Sequence, residues 1–327
     1  MKLYTFIQNT MNPYENLAVE EILRRQVCEG EVILYLWQNK DTVVIGRNQC
    51  AYDECNLEAM QKEGVKLARR MSGGGAVYHD EGNLNFSFLA CDSEYDKVKQ
   101  NQVLLDAIQS FGLEASISGR NDLLAEERKF SGHAYYQSDG KNCHHGTLMI
   151  GVDQNRLSSY LNVSKAKLQK RSVASVKSRV INLQSLNDEI TVETMKEKLI
   201  ESFSKIYKGT PVPYESLQTN LVQMQQNVLE DKDWLYGAKK NAYKKLYGCF
   251  DWGEITLYYR IENERIQDIL FNTDGMDASL LLEIPEKLKN IPLDKERVKL
   301  ALKGDGLEQQ VVCDDIYKLI KPLLERK

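Results

Sequence analysis

The stretch ARRMSGGGAVYHD, Ala68 to Asp80, sets two arginines ahead of three consecutive glycines. Glycine gives up more conformational entropy on ordering than any other residue, so three in a row ask for a local reason: positive φ, or a ligand lying against bare backbone. Upstream, Val65, Leu67 and Arg69 alternate with Lys66, Ala68 and Arg70; downstream, Ala76 to His79 keep an extended pattern, so both flanks read as strands. The two familiar phosphate loops need a helix behind their glycines. Here Gly75 runs into Ala76 and Val77 instead of a lysine and a hydroxyl residue, which excludes the P-loop pattern. What is left is an anion site made of turn N–H groups and the guanidinium of Arg69 or Arg70, set against the plainer alternative of a surface hairpin with solvated arginines.

Working outward, His79, Asp80, Gly82 and Asn83 make a polar turn. Leu84, Phe86 and Phe88 then alternate with Asn83, Asn85 and Ser87, a strand with one apolar and one polar face. Amides and a hydroxyl facing the side of a glycine loop read as a pocket wall. Asn12 as N-cap, Pro13 at the first helical position and Glu15 three residues after the cap announce a helix that buries Leu17, Ala18, Ile22 and Leu23. Strands are expected at Val32–Trp37 and Thr42–Gly46. A helix is expected through Val103, Leu104, Ala107, Ile108 and Phe111, with Gly112 at C′. Another is expected over Val192–Tyr207, with Met195, Leu199, Ile200, Phe203 and Ile206 inward.

The break Thr210-Pro211-Val212-Pro213 precedes a polar helix, and lysine-rich Tyr236 to Tyr247 reads as a linker. Beyond it, Ile255, Leu257, Tyr259 and Ile261 lead to a turn at residues 262–264, and Ile266 to Phe271 returns as the partner strand. Helices near Leu280–Leu288 and Asp315–Leu324 would cover that hairpin. The predicted division is residues 1–245 and 246–327.

At 327 residues and 42% hydrophobic, the chain can bury a sizeable core. A formal charge of −4 gives no footprint for nucleic acid, although Lys165 to Arg179 is a local basic cluster. The apolar run in MKLYTFIQNT is too short for a signal peptide, and no run of about eighteen apolar residues occurs, so no membrane association is expected and the location is read as cytoplasmic. Seven cysteines, at 28, 50, 55, 91, 143, 249 and 313, lack CxxC spacing, which argues against a disulfide framework or a structural zinc. In Cys143-His144-His145, neighbours point to alternating sides of a strand, which disfavours a shared metal ion.

The order SGGGAVYHDEGNLNFSF, Ser72 to Phe88, resembles the signature of the lipoate–protein ligase A family. So, in the expected order, do LWQNKDTVVIGRNQ (Leu36–Gln49), GRNDLL (Gly119–Leu124), RKFSGHAY (Arg128–Tyr135), HHGTLMI (His144–Ile150) and KSRVINL (Lys177–Leu183). The resemblance covers about the first 245 residues strongly, and the remainder looks like the family's smaller C-terminal domain. It implies an α+β fold, with a mixed-sheet catalytic domain of the biotin/lipoyl ligase type flanked by helices and a small α+β accessory domain that swings between steps. The activity it implies is formation of lipoyl-AMP from (R)-lipoate and ATP with Mg²⁺. The lipoyl group would then pass to a lysine of the E2 subunits of 2-oxoacid dehydrogenases or of the glycine-cleavage H protein, by a monomeric enzyme.

By the same resemblance, Arg70 and Ser72, Gly73, Gly74 and Gly75 would hold the triphosphate. Backbone of Ala76, Val77 and Tyr78, with Asn83 and His79, would enclose the adenosine. Asp122 would serve a metal-bound phosphate oxygen or the catalytic lysine, and it is the one candidate metal ligand. Lys129 matches the family's lysine that contacts both the acyl carbonyl and the α-phosphate, where one cation stabilises charge developing in both steps. Trp37, Val44, Arg70 and His145 would border the lipoyl chain, Gly46 would permit close approach, and Gly146 and Thr147 would line the nucleotide or acyl group. His133 departs from the family, which more often has a small residue after the equivalent of Gly132. Two other classes stay open. An ATP-independent lipoyl or octanoyl transferase needs a cysteine thioester, yet no cysteine falls between Cys91 and Cys143. A non-catalytic lipoate or carrier-domain binder would not require a lysine aimed at the bond being made.

Overall fold

The computed structural model describes residues 1–119, 121–162, 180–237, 243–277 and 281–325. Strand β1 (Lys2–Ile7) pairs in parallel with β2 (Glu31–Trp37), and helix α1 (Pro13–Gln26) connects them. The Asn12 side chain caps α1 by accepting from the Tyr14 N–H, and Leu17, Ala18, Ile22 and Leu23 are buried as their spacing requires. Strand β3 (Thr42–Ile45) precedes short helices α2 (Ala51–Glu54) and α3 (Leu57–Glu63). Then come β4 (Lys66–Arg69), β5 (Val77–His79) and β6 (Asn83–Cys91).

Helix α4 (Lys97–Gln109) is followed by β7 (Ala115–Ser118), β8 (Asp122–Ala125), β9 (Arg128–Ser138), β10 (Lys141–Met149) and α5 (Gln154–Tyr160). Beyond these lie α6 (Val192–Tyr207), β11 (Val212–Pro213), α7 (Thr219–Glu230) and α8 (Lys232–Tyr236). Among the described residues the large mixed sheet runs β11-β1-β2-β6-β10-β9-β8-β7, and a smaller one runs β4-β3-β5.

Period-2 alternation decides the layering. Leu84, Phe86, Phe88 and Ala90 of β6 enter one core with Val103, Leu104, Met195, Leu199 and Phe203 of α4 and α6. On the opposite face, Leu89 and Cys91 join Leu17, Ile22 and Leu23 of α1. Between those apolar ends, Asn83, Asn85 and Ser87 are buried polar residues on the α1 side. Burying each costs free energy unless it is hydrogen-bonded.

The C-terminal residues form β12 (Lys244–Phe250), β13 (Gly253–Glu262) and β14 (Arg265–Thr273), with α9 (Ile284–Leu288), α10 (Lys295–Ala301) and α11 (Leu307–Leu324) covering one face as a separate core. The expected hairpin is there, its turn made by Asn263 and Glu264 at φ 51° and 55°. Three readings change. Lys244 to Tyr247 is strand, because its side chains alternate against β13, and residues 238–242 of the expected linker lie outside the described residues. Val212 and Pro213 add a short parallel edge to β1, where a proline is tolerated. Helix α11 starts at Leu307, earlier than the expected Asp315, and α10 was not foreseen. Leu280, Arg120, Lys177 and the basic cluster from Lys165 to Arg179 lie outside the described residues. No helix among the described residues is long and apolar enough to cross a membrane.

Candidate active site

The glycine loop is not a hairpin. Its flanking strands β4 and β5 sit on either side of β3, parallel and antiparallel respectively, so the loop from Arg70 to Ala76 must cross over the end of β3. The crossing brings Gly74 O onto Gly46, the residue that follows β3, so closely that a Cβ at Gly46 would overlap it. Gly74 itself has φ 88°, a conformation open to glycine. The close approach foreseen at Gly46 is therefore made by the loop's own carbonyl.

The two arginines part company because successive strand residues face opposite ways. Arg69 donates to the carbonyls of Gly46, Arg47, Gln49, Trp234 and Leu235, tying the loop's base to α8. Arg70 turns inward. Its Nη2 donates to Gly73 O at 2.6 Å and Gly75 O at 2.9 Å, its Nε to Ser72 Oγ at 3.0 Å, and its Nη1 to Val44 O at 3.2 Å. Burial brings both guanidinium pKa values down to about 10, so both stay charged at neutral pH. In this arrangement Arg70 shapes the loop.

Beside it lies a cavity of about 180 Å³. Its floor follows from sheet register: Trp37 pairs with Asn85, Asn85 with Thr147, Thr147 with Gly132, and Gly132 with Asp122, one row across β2, β6, β10, β9 and β8. At about 4.8 Å per strand, that row carries the site from an aromatic end at Trp37 to a charged end. There Lys129 Nζ lies 2.8 Å from Asp122 Oδ1, both side chains about a third exposed. Leu17, Val44 and Val77 make the walls apolar, and Met276 from the C-terminal region also lines the cavity.

Of the expected site residues, Trp37, Arg70, Gly74, Gly75, Ala76, Val77, His79, Lys129, His145 and Thr147 line this one cavity. The others back it. Ser72 Oγ bonds His145 Nε2 at 2.7 Å, Asn83 Nδ2 donates to Asn85 Oδ1 at 3.1 Å, and Asp122 pairs with Lys129. The Tyr78 side chain faces away, packing on Tyr160 and donating to Asp41. Gly73 lies against Gly275 and Met276, and the Gly74 N–H donates to Gly275 O at 3.0 Å. That amide of the expected anion cradle is therefore occupied by the C-terminal region. His79 stands with Trp37, ring centroids 6.3 Å apart, at the aromatic end.

A buried polar chain supports the aromatic end: Trp37 Nε1 donates to Ser87 Oγ at 3.0 Å, Ser87 Oγ donates to Glu20 Oε2 at 2.6 Å, and Glu20 holds His145 Nδ1 at 2.9 Å. Burial pushes the Glu20 carboxyl up, but His145, Ser87 and Arg70 outweigh it and hold it below its ordinary value. Cys143 and His145, two apart on β10, share this face and come within ligand range of Glu20, while His144 points into the opposite core against Phe86 and Gln100. A sulfur, a nitrogen and a carboxylate do not fit the all-oxygen preference of Mg²⁺. Burial holds the Cys143 thiol well above its usual range, so it stays protonated and inert. Asn85, read as part of a pocket wall, lines the cavity; Glu20, Asn121, Ala134 and Met276 were absent from the expected site set. Glu20 carries the clearest missed signal, a carboxylate one helical turn from Leu17 on a buried face.

A mixed sheet with a glycine crossover loop, an apolar cavity and a lysine at its rim defines a ligase-type catalytic domain, and comparison with known proteins agrees. The family model described as "Lipoyl protein ligase A/B catalytic domain" matches residues 12–204, and "Bacterial lipoate protein ligase C-terminus" matches residues 243–318. A Psychrobacter cryohalolentis protein named lipoate-protein ligase A is 34% identical over 309 residues, 91% of each chain. Among solved structures, P. falciparum LipL1 in complex with lipoate superimposes with a TM-score of 0.86 at 29% identity, covering 99% of this chain and 100% of that one. A lipoate-protein ligase A bound with ATP gives 0.65 at 26% identity, covering 72% and 99%. The chain belongs to the lipoate–protein ligase A family and is an enzyme of the ligase class.

Proposed function

We propose that this enzyme activates (R)-lipoate with ATP and transfers the lipoyl group to a lysine of carrier domains. The observation that carries the reading is the position of Lys129: its ammonium stands on the rim of a cavity whose walls are apolar at one end and formed by Gly74 and Gly75 of the glycine loop near the other. That the ATP-bound and lipoate-bound relatives share the fold supports it.

In the first step a carboxylate oxygen of lipoate attacks the α-phosphorus, the α–β bridging bond breaks, and pyrophosphate leaves with its electrons. In the second, a carrier lysine amine attacks the acyl carbon, the bond to phosphate breaks, AMP leaves, and the amine gives up its proton. Both steps bring or build negative charge where Lys129 can reach, so one preorganised cation serves both. The sheet holds the acid's chain between Trp37 and Thr147, and the walls exclude water from the mixed anhydride. Mg²⁺ would arrive on the nucleotide, keeping water ligands, with Asp122 as the protein oxygen nearest Lys129. Residues 1–245 would do the chemistry and residues 246–327 would act as the accessory part. The carriers would be E2 subunits or the H protein.

The test is pyrophosphate release from ATP and lipoate without acceptor, followed by the mass shift of a purified lipoyl domain. A transferase or a binder would give no pyrophosphate.

A further inference from the structure

Two buried donors at the aromatic end of the cavity have no acceptor among the described residues: His79 Nε2 and Asn85 Nδ2, in side chains 3% and 2% exposed. The His79 tautomer is set from behind. Asn39 Oδ1 accepts from Asn16 Nδ2 at 3.0 Å, so Asn39 presents its NH₂ to His79 Nδ1 at 3.1 Å; that nitrogen must accept, and the ring proton sits on Nε2. The Asn83 Nδ2 donates to Asn85 Oδ1, and the Asn85 NH₂ has no partner among the described residues. Burial, with Arg70 nearby, takes the His79 pKa down to about 3, so the ring is a neutral donor at any working pH. Both residues line the cavity.

Position in the sheet says which part of a ligand they meet. Asn85 and Gly132 flank Thr147 in the register row, two strand spacings apart, about 10 Å. Gly132 lies on the Lys129 side. An acid whose carboxylate is at Lys129 therefore reaches His79 and Asn85 with the far end of its chain. Both N–H groups are already shielded from solvent, and a plain hydrocarbon tail leaves them without an acceptor, the costly arrangement for a buried donor. The two sulfurs of a dithiolane are polarisable acceptors and relieve it.

We propose that His79 and Asn85 form a donor pair that reads the distal end of the bound acid, making this enzyme prefer medium-chain acids with acceptor atoms there over straight-chain acids of equal length. The inference rests on the lipoate-activating reading of the same cavity.

The experiment compares lipoate with octanoate, by calorimetric binding to the full-length enzyme and by pyrophosphate release, for the wild type and for Asn85→Leu, which keeps the side-chain volume and removes the donor. The wild type should favour lipoate at least about tenfold in both readouts, and Asn85→Leu should cut that ratio to about threefold or less. Equal handling of the two acids by the wild type, or a folded Asn85→Leu enzyme with the ratio unchanged, overturns the donor pair while leaving the ligase reading intact. If neither acid binds nor releases pyrophosphate, the ligase reading falls and takes the donor pair with it. His79→Phe, a second route to the same loss, guards against misfolding of the first variant: it too should lower the ratio, and an unchanged ratio in a folded protein counts against the pair.

Discussion

Lys129 and Asp122, on adjacent strands β9 and β8, make an ion pair at 2.8 Å that parks the ammonium at the rim of the cavity with about a third of each side chain in solvent. A register shift between Leu123 and Leu124 brings this about: Asp122 faces Gly132, while Leu124 faces Lys129 itself. With no side chain at Gly132, the lysine crosses over its backbone toward the carboxylate. An exposed pair of this kind contributes little to stability, so its value is positional.

Lys129→Ala should therefore leave the fold unchanged and reduce pyrophosphate release by at least about a hundredfold, the loss typical of removing one preorganised electrostatic group. Asp122→Asn, which frees the ammonium without deleting it, should cost less. A Lys129→Ala enzyme with near-normal adenylation would remove the lysine from the chemistry.

Arg70→Met should do more damage to the loop than to the sheet. It strips the donors from the carbonyls of Gly73, Gly75 and Val44 inside the protein. Each carbonyl left unpaired costs about 1–3 kcal/mol, so urea denaturation should show a loss of at least about 3 kcal/mol together with abolished ATP binding. Arg70→Lys should not rescue it, because one ammonium does not reproduce a planar fork of five donors. A stable Arg70→Met protein that still bound ATP would contradict the role given to the guanidinium.

Gly73→Ala should loosen the C-terminal region. A Cβ there would meet the main chain of Gly275 and Met276, with Met276 O at 2.5 Å, and no side chain can yield to relieve it. Small-angle scattering of the variant should show a larger radius of gyration than the wild type. An unchanged envelope would mean that this contact does not hold the C-terminal region against the loop.

Stability should fall on mild acidification. Burial brings His79 and His133 down to about 3, and His144 well below its ordinary value. Between about pH 6.5 and 3 the unfolded chain binds protons at these rings that the folded chain refuses. Their contribution is complete above the unfolded value and is lost as pH drops, about 1.4 kcal/mol per pH unit for each ring. Denaturant midpoints should thus decline from pH 7 to pH 5. A His144→Gln variant should show a shallower slope, and a midpoint indifferent to pH over that range would show that these rings are not buried neutral.

The local grammar of the chain was readable. The cap at Asn12, the alternation along β6 and the helix over Val192–Tyr207 follow from nearest-neighbour periodicity, and each forms as its residues dictate. The glycine loop was recognisable as a site because three glycines and two arginines are costly to place anywhere without reason. Strand parity required Arg69 and Arg70 to face opposite ways, yet which of them met the cavity depended on where α8 docked, 165 residues downstream.

Sequence by itself thus determined the strongly periodic elements, the family and the residues of the loop, because these are properties of short windows and of their order. Only tertiary structure decided that Glu20 reaches His145 across 125 residues, that Trp37, Asn85, Thr147, Gly132 and Asp122 fall in one row, and that Gly275 and Met276 close on the loop. Those meetings are set by strand register and by burial of α1 against the sheet, sums of many weak contacts between distant segments that no local pattern records.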